Sequence, residues 1–514
     1  MPDAESHHTR EAVDLRGASR AAVDAGPAPL LGDMPADQLR AELHRMADWV
    51  ADYRETIGDR DITPGVLPGE TAAQLELVQW ENPEPMARIL RDVDDVVMPG
   101  IVHWGHPAFL GYFGSTSNGP ALLGEIVAAA LNVSAMTWAT SPAATEMETV
   151  VLRWIQELVG IPEHFTGIVY DTASVAVMHA LAAARESCGS EIRTRGLSGR
   201  SDLPTYRIYA SAEAHSSVVK AAIVLGIGEE NVIRIRTDDR FKLDVAALRE
   251  ALDTDAGAGY GALAVIATIG TTSSASVDPV RAIADLCEER GVWLHVDAAY
   301  GGAMGALPEG RWVMDGIERA DSIVLNPHKW LFVPLDFSTL YVRRPDVLRS
   351  VFSLVPEYLR GNAGSAGSPD YMDYGIQLGR RFRALKAWMV LRSFGRRGIV
   401  ARIREHCRLA RLLASWVDAD AMFTRMARVE MGVVCWRFKP ESIDAEDGDL
   451  LNEAIVDAVN ARGAGFLTHT RLGGRVVIRA GIGNILTTER HVADVWAMVQ
   501  QAANELIQGS RPAR

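Results

Sequence analysis

The chain has 514 residues, of which 48% are hydrophobic and 23% charged, so it can bury a large core and form two or three domains. The net charge of −14, with no basic cluster, argues against nucleic-acid binding. No segment approaches the roughly 18 apolar residues of a membrane span, and residues 1–32 lack the apolar core of a secretion signal. The four scattered cysteines show no metal-ligand spacing and are typical of reduced thiols in a cytoplasmic protein.

The composition changes along the chain and predicts four regions. Residues 1–32 predict a disordered extension, and residues 33–118 predict a helical segment with helices near 39–53 and 85–97. Residues 119–390 predict a large domain and residues 391–514 a small α+β domain.

Within the large domain, strand-like and helix-like segments alternate, which predicts a mostly parallel sheet with helices on both faces. We expect strands at 167–170, 206–210, 232–236, 263–269, 292–296 and 322–325. We expect helices at 121–131, 143–159, 173–185, 216–225, 245–252 and 280–290. In the small domain, the expected helices are 398–419, 449–461 and 488–507, and the expected strands are 431–438 and 475–480.

An aspartate and a lysine each follow a predicted strand. Asp297 ends the apolar run 292–296, and Lys329 lies in Asn326-Pro-His-Lys-Trp330, after strand 322–325. Ligands bind at the carboxyl ends of parallel strands, so the two side chains are expected to meet there. A lysine that forms a Schiff base and a carboxylate that keeps a pyridinium nitrogen protonated fit pyridoxal phosphate (PLP). An ordinary loop lysine and a helix-capping aspartate are the alternatives.

A PLP site also needs a group that binds phosphate. Thr172 and Ala173 lie between strand 167–170 and the next helix, where free N–H groups bind anions. A simple helix cap has the same pattern. Asn326 and His328, beside the lysine, are further candidates for phosphate contacts.

Two further strand-to-helix junctions end at the same predicted edge. We expect His215 to stack on the cofactor and Thr272 to contact its ring. A structural hydrogen-bonding role is the alternative for His215.

Many collinear segments resemble the group II PLP-dependent decarboxylases, specifically the aromatic L-amino acid decarboxylase branch. The resemblance runs from about Asp33 to the last helix and includes the segments 103–107, 111–113, 138–143, 214–217, 270–272, 295–299, 326–330 and 378–382. It implies the PLP-dependent transferase fold type I, which is aspartate-aminotransferase-like, with a mostly parallel seven-stranded sheet. It also implies a homodimer in which the helical segment 33–118 wraps the partner and the active site lies at the interface.

The resemblance implies a role for each site residue. Lys329 would carry the cofactor, Asp297 would bind its ring nitrogen, and His215 would stack on the ring. The other cofactor contacts would be Thr172, Ala173, Thr272, Ala299, Asn326 and His328. The substrate contacts would be Trp104, Tyr112, Phe113, Ser115, Ser134, Met136 and Gly379. Without the resemblance, the aromatic residues among them would be interpreted as core.

Tyr358 bears on the reaction type. It lies just before the Gly/Ser-rich stretch 361–368, which suits a lid over the site. In the family a tyrosine at this place protonates the substrate carbon after carbon dioxide leaves, whereas aldehyde-forming relatives carry phenylalanine there or lack the stacking histidine. This chain keeps Tyr358 and His215, which favours an amine product. A tyrosine that only packs on a loop is the alternative interpretation.

The substrate and the competing functions follow from the same residues. Ser134, Met136 and Gly379 predict a roomy, polarisable wall, which favours tryptophan and leaves phenylalanine, tyrosine and dihydroxyphenylalanine open. The expected pocket residues carry no cation, which disfavours acidic substrates. An aromatic aldehyde synthase, a catalytically silent homologue and, more weakly, an aminotransferase are the competing hypotheses.

Overall fold

A computed structural model describes residues 32–78, 80–354, 368–440 and 445–509. The described chain forms two compact units. The first contains the described residues up to Glu55 together with Pro64–Ile101, and the second contains Thr56–Thr63 and the described residues from Val102 onward. The domain boundaries expected at residues 33, 119 and 391 stay predictions. Among the described residues, no helix is both long and apolar enough to cross a bilayer.

The first unit is helical, as the sequence predicts. Its helices are α1 (Ala36–Thr56), α2 (Glu70–Leu75) and α3 (Met86–Asp92), and α3 continues into a π-helical turn, Val93–Val97. Trp49 on α1 donates its indole N–H to Asp94, with Nε1 and Oδ1 2.8 Å apart. Leu39 and Leu43, which begin the apolar stripe of α1, are 46% and 47% exposed. In the single chain these two leucines are therefore not part of a core.

The second unit begins with two helices and continues as an α/β domain. Its elements, in chain order, are α4 (Gly119–Leu131), α5 (Pro142–Val159), β1 (Thr166–Tyr170), α6 (Ala173–Ser187), α7 (Ile192–Arg195), β2 (Tyr206–Ser211), α8 (Ser217–Val224), β3 (Val232–Ile235), α9 (Val245–Gly257), β4 (Gly261–Thr268), α10 (Val280–Arg290), β5 (Trp293–Asp297), β6 (Ser322–Leu325), α11 (Pro327–Trp330), β7 (Ser338–Val342) and α12 (Pro345–Phe352).

The seven strands form one sheet in the order β1-β7-β6-β5-β4-β2-β3. Strands β2 to β6 pair in parallel, and β7 pairs antiparallel with both β1 and β6. The prediction of a mostly parallel seven-stranded sheet is confirmed. The sequence pattern located six of these strands and missed β7, a five-residue strand that follows Pro334 and Asp336 shortly after the apolar run Trp330–Val333.

The rest of the second unit is a small domain attached to one long helix. Its elements are α13 (Arg383–Ala419), β8 (Phe423–Arg425), β9 (Val433–Phe438), α14 (Ala445–Asn460), β10 (Thr468–Leu472), β11 (Arg475–Gly481) and α15 (Glu489–Gly509). The strands form an antiparallel sheet in the order β10-β11-β9-β8, of which β8 and β10 were not predicted. Helix α13 begins well before its predicted start at residue 398, and Gly395 interrupts it with a positive φ of 61°.

Helix α13 contributes to both hydrophobic cores of the second unit. Leu385, Val390 and Ile403 belong to the core around the seven-stranded sheet. Leu409 and Leu413 belong to the core of the small domain. One helix therefore connects the two cores.

Helices α4 and α13 approach each other closely at Gly124. A Cβ atom at Gly124 would lie 2.7 Å from the Cα atom of Lys386, which is backbone and cannot rotate away. Gly124→Ala is therefore expected to destabilise the protein by about 1–3 kcal/mol and to lower its melting temperature. Gly257→Ala is the matched control, because a Cβ atom there meets nothing within 4 Å. An equal melting temperature for the two variants would contradict this account of the α4–α13 contact.

Candidate active site

The pairing of β5 with β6 places Asp297 and Lys329 at one edge of the sheet. Asp297 is the last residue of β5, and its register partner on β6 is Val324. The chain leaves β6 through Asn326 and enters the short helix α11, which carries Lys329. One Asp297 carboxylate oxygen, Oδ1, accepts the backbone N–H of Ala299 at 3.0 Å. This bond fixes the orientation of the carboxylate.

A cavity at this edge, called the cofactor cavity below, is lined by every residue that the sequence assigned to the cofactor. These nine residues are Thr172, Ala173, His215, Thr272, Asp297, Ala299, Asn326, His328 and Lys329. The cavity is also lined by Phe113, Ser174, Thr268, Gly270 and Tyr300. Of these five residues, Phe113 was predicted as a substrate contact, and the other four lie within two residues of an assigned residue in the chain or, for Thr268, at the end of β4.

One end of the cofactor cavity has the features of an anion site. Thr172 is the residue before the first turn of α6, and Ala173 and Ser174 form the start of that turn, where backbone N–H groups are free to bind an anion. Asn326 Oδ1 accepts the hydroxyl of Ser338 at 2.6 Å, which leaves the amide N–H₂ group for another partner. His328 Nδ1 accepts the backbone N–H of Phe337 at 3.0 Å, which orients its ring.

The environment of Lys329 favours its neutral amine. Burial lowers the pKa of Lys329, Asp297 opposes this effect, and Arg479 adds to it. Lys329 Nζ lies 4.9 Å from the centre of the Phe113 ring, which itself stacks on Tyr300 at 3.9 Å. A lysine with a lowered pKa is a better nucleophile at neutral pH.

His215 has a defined hydrogen-bonding state. Its Nδ1 atom accepts the backbone N–H of Ser217 at 3.1 Å and lies 2.9 Å from the Ser217 hydroxyl. Burial lowers the pKa of His215, although one edge of the ring is open to the cavity. The neutral ring therefore carries its hydrogen on Nε2.

A second cavity, called the substrate cavity below, adjoins the cofactor cavity. It has a volume of about 580 Å³ and shares Phe113, His215, Thr272 and Lys329 with the cofactor cavity. Trp104 and Tyr112, both predicted substrate contacts, line it and stack on each other at 5.3 Å. Its size lies within the usual range for small-molecule sites, about 300–1,000 Å³.

The small domain supplies part of the substrate cavity, which the sequence did not reveal. The residues from this domain are Val456, Asp457, Asn460, Phe466, Leu467, Thr468, His469, Thr470 and Arg479. They lie on α14, β10 and β11 and on the turn before β10, more than a hundred residues after Lys329 in the chain. No local motif marks them, and only the fold brings them to the site.

Arg479 is the most important of these missed residues. It is buried, and its guanidinium donates to the backbone oxygens of Tyr112 at 2.7 Å and Thr272 at 3.0 Å. Arg479 thus ties together two walls of the substrate cavity. The proposed pocket residues carry no cation, but the substrate cavity also contains Arg479, which the sequence did not assign to it.

Four predicted substrate contacts, Ser115, Ser134, Met136 and Gly379, line neither of the two cavities. Ser134 Oγ accepts the backbone N–H of Arg380 at 3.4 Å, and Met136 O accepts that of Met372 at 3.0 Å. Ser134, Met136 and Gly379 therefore lie near one another, apart from Lys329 of the same chain. Their contact with substrate stays a prediction. Tyr358 lies outside the described residues.

Residues 68–439 match the family described as the pyridoxal-dependent decarboxylase conserved domain. The chain is 37% identical to phenylacetaldehyde synthase of Arabidopsis thaliana, over 94% of this chain and 100% of that protein. It is 34% identical to tryptophan decarboxylase 1 of Oryza sativa subsp. japonica, over 96% of this chain and 99% of that protein.

A solved structure shows the same likeness. The crystal structure of Oryza sativa TDC with PLP and tryptamine superposes with a TM-score of 0.88 and 34% identity, covering 93% of this chain and 99% of that chain. The family resemblance, the fold type and PLP as the cofactor are confirmed. The residues present fit the cofactor, because a lysine, a carboxylate and an anion site line one cavity.

We expect borohydride treatment of the holoenzyme to attach the cofactor to the peptide that contains Lys329, as measured by mass spectrometry. Lys329→Ala is expected to lose this label and the visible absorbance of the bound cofactor. Lys439→Ala, which removes an exposed lysine, is the control and should keep both. A label on another lysine in the Lys329→Ala protein would show that Lys329 is not the attachment site.

Proposed function

Because the chain belongs to the pyridoxal-dependent decarboxylase family and is a PLP-dependent carboxy-lyase, we propose that it converts an aromatic L-amino acid to the arylalkylamine and carbon dioxide. Tryptophan is the first candidate substrate, with phenylalanine, tyrosine and dihydroxyphenylalanine as the others. One observation carries the proposal: Lys329 lies where the cofactor cavity opens into a substrate cavity walled by Trp104, Tyr112 and Phe113.

Five residues of the cofactor cavity have a proposed task. Bound PLP accepts the electron pair that remains when the bond between Cα and the carboxyl group breaks. We assign Lys329 to covalent attachment, and Asp297 to holding a proton on the ring nitrogen. The amino end of α6, at Thr172 and Ala173, binds the phosphate. His215, neutral and with its hydrogen on Nε2, would stack on the ring.

The substrate cavity orients the amino acid. The aromatic ring packs against Trp104, Tyr112 and Phe113, and Arg479 keeps the two walls at a fixed separation through its bonds to Tyr112 and Thr272. Holding the substrate in one orientation selects which bond at Cα breaks. The roughly 580 Å³ cavity is large enough for an indole as well as a phenyl ring.

Tyr358 is proposed as the general acid that returns a proton to Cα after carbon dioxide leaves. This role comes from the sequence alone. The relatives include both a phenylacetaldehyde synthase and a tryptophan decarboxylase, so similarity does not choose between aldehyde and amine. The tyrosine at position 358 and the histidine at position 215 favour the amine.

We expect Tyr358→Phe to reduce amine formation and to give the aldehyde, because oxygen can react at Cα when no proton is delivered. Amine, aldehyde, ammonia, hydrogen peroxide and carbon dioxide are measured separately for each aromatic substrate. Tyr260→Phe, a change at a tyrosine outside both cavities, is the control and should keep the wild-type products. If Tyr358→Phe still forms only amine, the proton comes from another group. Absence of carbon dioxide release from every aromatic substrate would refute the proposed function.

We also propose a homodimer whose active sites lie at the interface. Two exposed apolar surfaces support it: the stripe of α1 that begins at Leu39 and Leu43, and the face of α4 that carries Leu123, Ile126, Val127 and Leu131. A monomer with such surfaces exposed would tend to associate. The positions of Ser134 and Met136 also support it, because these residues line neither cavity of their own chain and could complete the partner's substrate cavity.

A heterodimer tests this arrangement. Lys329→Ala inactivates the site that holds the cofactor, and Ser134→Trp is expected to block the site to which Ser134 contributes. Each homodimer should be inactive. A heterodimer isolated with two different affinity tags should regain activity, because one of its sites combines an intact Lys329 with an unchanged Ser134 of the partner subunit. If Ser134 served the site of its own chain, the heterodimer would stay inactive.

The enzyme is proposed to act in the cytoplasm. The four cysteines are free thiols, and three of them, Cys287, Cys407 and Cys435, are buried. Burial raises the pKa of each of these three thiols to about 12, so they are unreactive and suit a reducing compartment.

A further inference from the structure

Arg380 and Glu148 form an ion pair that is buried away from both cavities. Arg380 Nη2 and Glu148 Oε1 are 2.6 Å apart, and the two side chains are 5% and 2% exposed. We infer that this ion pair is a positioning element for substrate selection. The inference rests on the proposed function and on the prediction from the sequence that Ser134, Met136 and Gly379 form the wall that selects the aromatic ring.

Arg380 joins the two segments that carry these selecting residues. Its Nη1 atom donates to the backbone oxygen of Ala135 at 2.8 Å. Its backbone oxygen accepts the N–H of Ala135 at 2.8 Å, and its own N–H donates to Ser134 Oγ at 3.4 Å. The segment Ser134–Met136 is therefore held against Gly379 and Arg380 from both backbone and side chain.

The same ion pair also binds β1, and so links the segments Ser134–Met136 and Gly379–Arg380 to that strand. Arg380 Nη2 donates to Val169 O at 2.9 Å, and Glu148 Oε1 accepts the Val169 N–H at 3.1 Å. Strand β1 ends one residue later, and the chain then reaches Thr172 in the cofactor cavity. The position of the selecting residues is thus fixed relative to the strand that leads to the phosphate-binding turn.

Tyr371 and Met372 make further contacts with Arg380 and Met136. The guanidinium carbon of Arg380 lies 4.9 Å from the centre of the Tyr371 ring, and the Tyr371 hydroxyl is 2.9 Å from that of Thr149 on α5. The backbone N–H of Met372 donates to Met136 O at 3.0 Å. Met136 is therefore fixed by its backbone, and its side chain is half-buried.

The hydrogen-bonding geometry of arginine explains why position 380 is an arginine. Its planar group donates in several fixed directions, so it can bind Ala135, Glu148 and Val169 at once, whereas a lysine amine on a flexible stem cannot hold the same geometry. A buried ion pair seldom stabilises a fold more than apolar residues of the same size would. Its value here is the defined position that it gives to Ser134 and Met136.

The test compares Arg380→Lys with Arg381→Lys in the holoenzyme. Arg381 is the next residue, is 61% exposed and pairs with Glu125 on the surface, so it controls for a loss of arginine in this helix-preceding segment. The measurement is kcat/KM for tryptophan and for phenylalanine, with kcat and KM separated. Arg380→Lys is expected to change the ratio of the two kcat/KM values about tenfold, the size of a methylene-scale misfit in a pocket. Arg381→Lys is expected to leave the ratio unchanged.

Two further variants make the result decisive. Met136→Ala tests the wall itself, and Glu148→Gln breaks the charge pair while it keeps the side-chain volume. A changed ratio in Met136→Ala, Arg380→Lys and Glu148→Gln supports the inference. If only Met136→Ala changes the ratio, the inference is overturned, but the proposed role of Met136 in substrate selection stands. If no variant changes the ratio, both that role and the inference are overturned. If Arg380→Lys does not fold, the ratio measured for Glu148→Gln decides between these outcomes. If Arg381→Lys changes the ratio as much as Arg380→Lys does, the inference is overturned.

Discussion

Parallel hydrogen bonding between β5 and β6 holds the two groups that any PLP chemistry needs at one edge of the sheet. Asp297 ends β5 opposite Val324, and the turn after β6 brings Lys329 to the same cavity. A shift of the pairing by one residue would turn Asp297 to the opposite face of the sheet. Both strands are buried throughout, so the core that surrounds them fixes the register. The geometry of the cofactor cavity therefore depends on the packing of the sheet.

The fold could be predicted from the sequence wherever a segment had a clear period and a clear end. Most of the parallel strands β2 to β6 are followed by a helix and bounded by polar turns, so their positions in the chain and their parallel pairing could be predicted. Strand β7 was missed because only the short helix α11 separates it from β6, so it does not follow the alternation of strands and long helices. The early part of α13 was missed because Gly395 interrupts the helical pattern. The short edge strands β8 and β10 depend on pairing with strands that only the folded domain brings near.

The cofactor residues could be predicted from the sequence more completely than the substrate residues. The cofactor residues follow strand ends, so a sheet model was enough to bring Thr172, His215, Asp297 and Lys329 together. The substrate residues do not share one edge. Arg479 belongs to another domain, and Ser134 and its neighbours lie apart from Lys329 of the same chain. A single sequence contains no signal for contacts of that kind, and the resemblance named residues without saying which chain's cavity they line.

Helix α13 sets a limit on how this chain can vary in length. Its first part packs on the large core, its last part on the small one, and between them His406 accepts the indole N–H of Trp330, the neighbour of Lys329, at 2.9 Å. The contacts of Ile403, His406 and Leu409, which all follow the interruption at Gly395, depend on one rotational phase. A single residue inserted between Ile403 and Leu409 would rotate everything after it by about 100°, since the helix has 3.6 residues per turn. The apolar side of the later half would then face solvent. Insertions that a surface loop tolerates would here uncouple the small domain from the cofactor lysine.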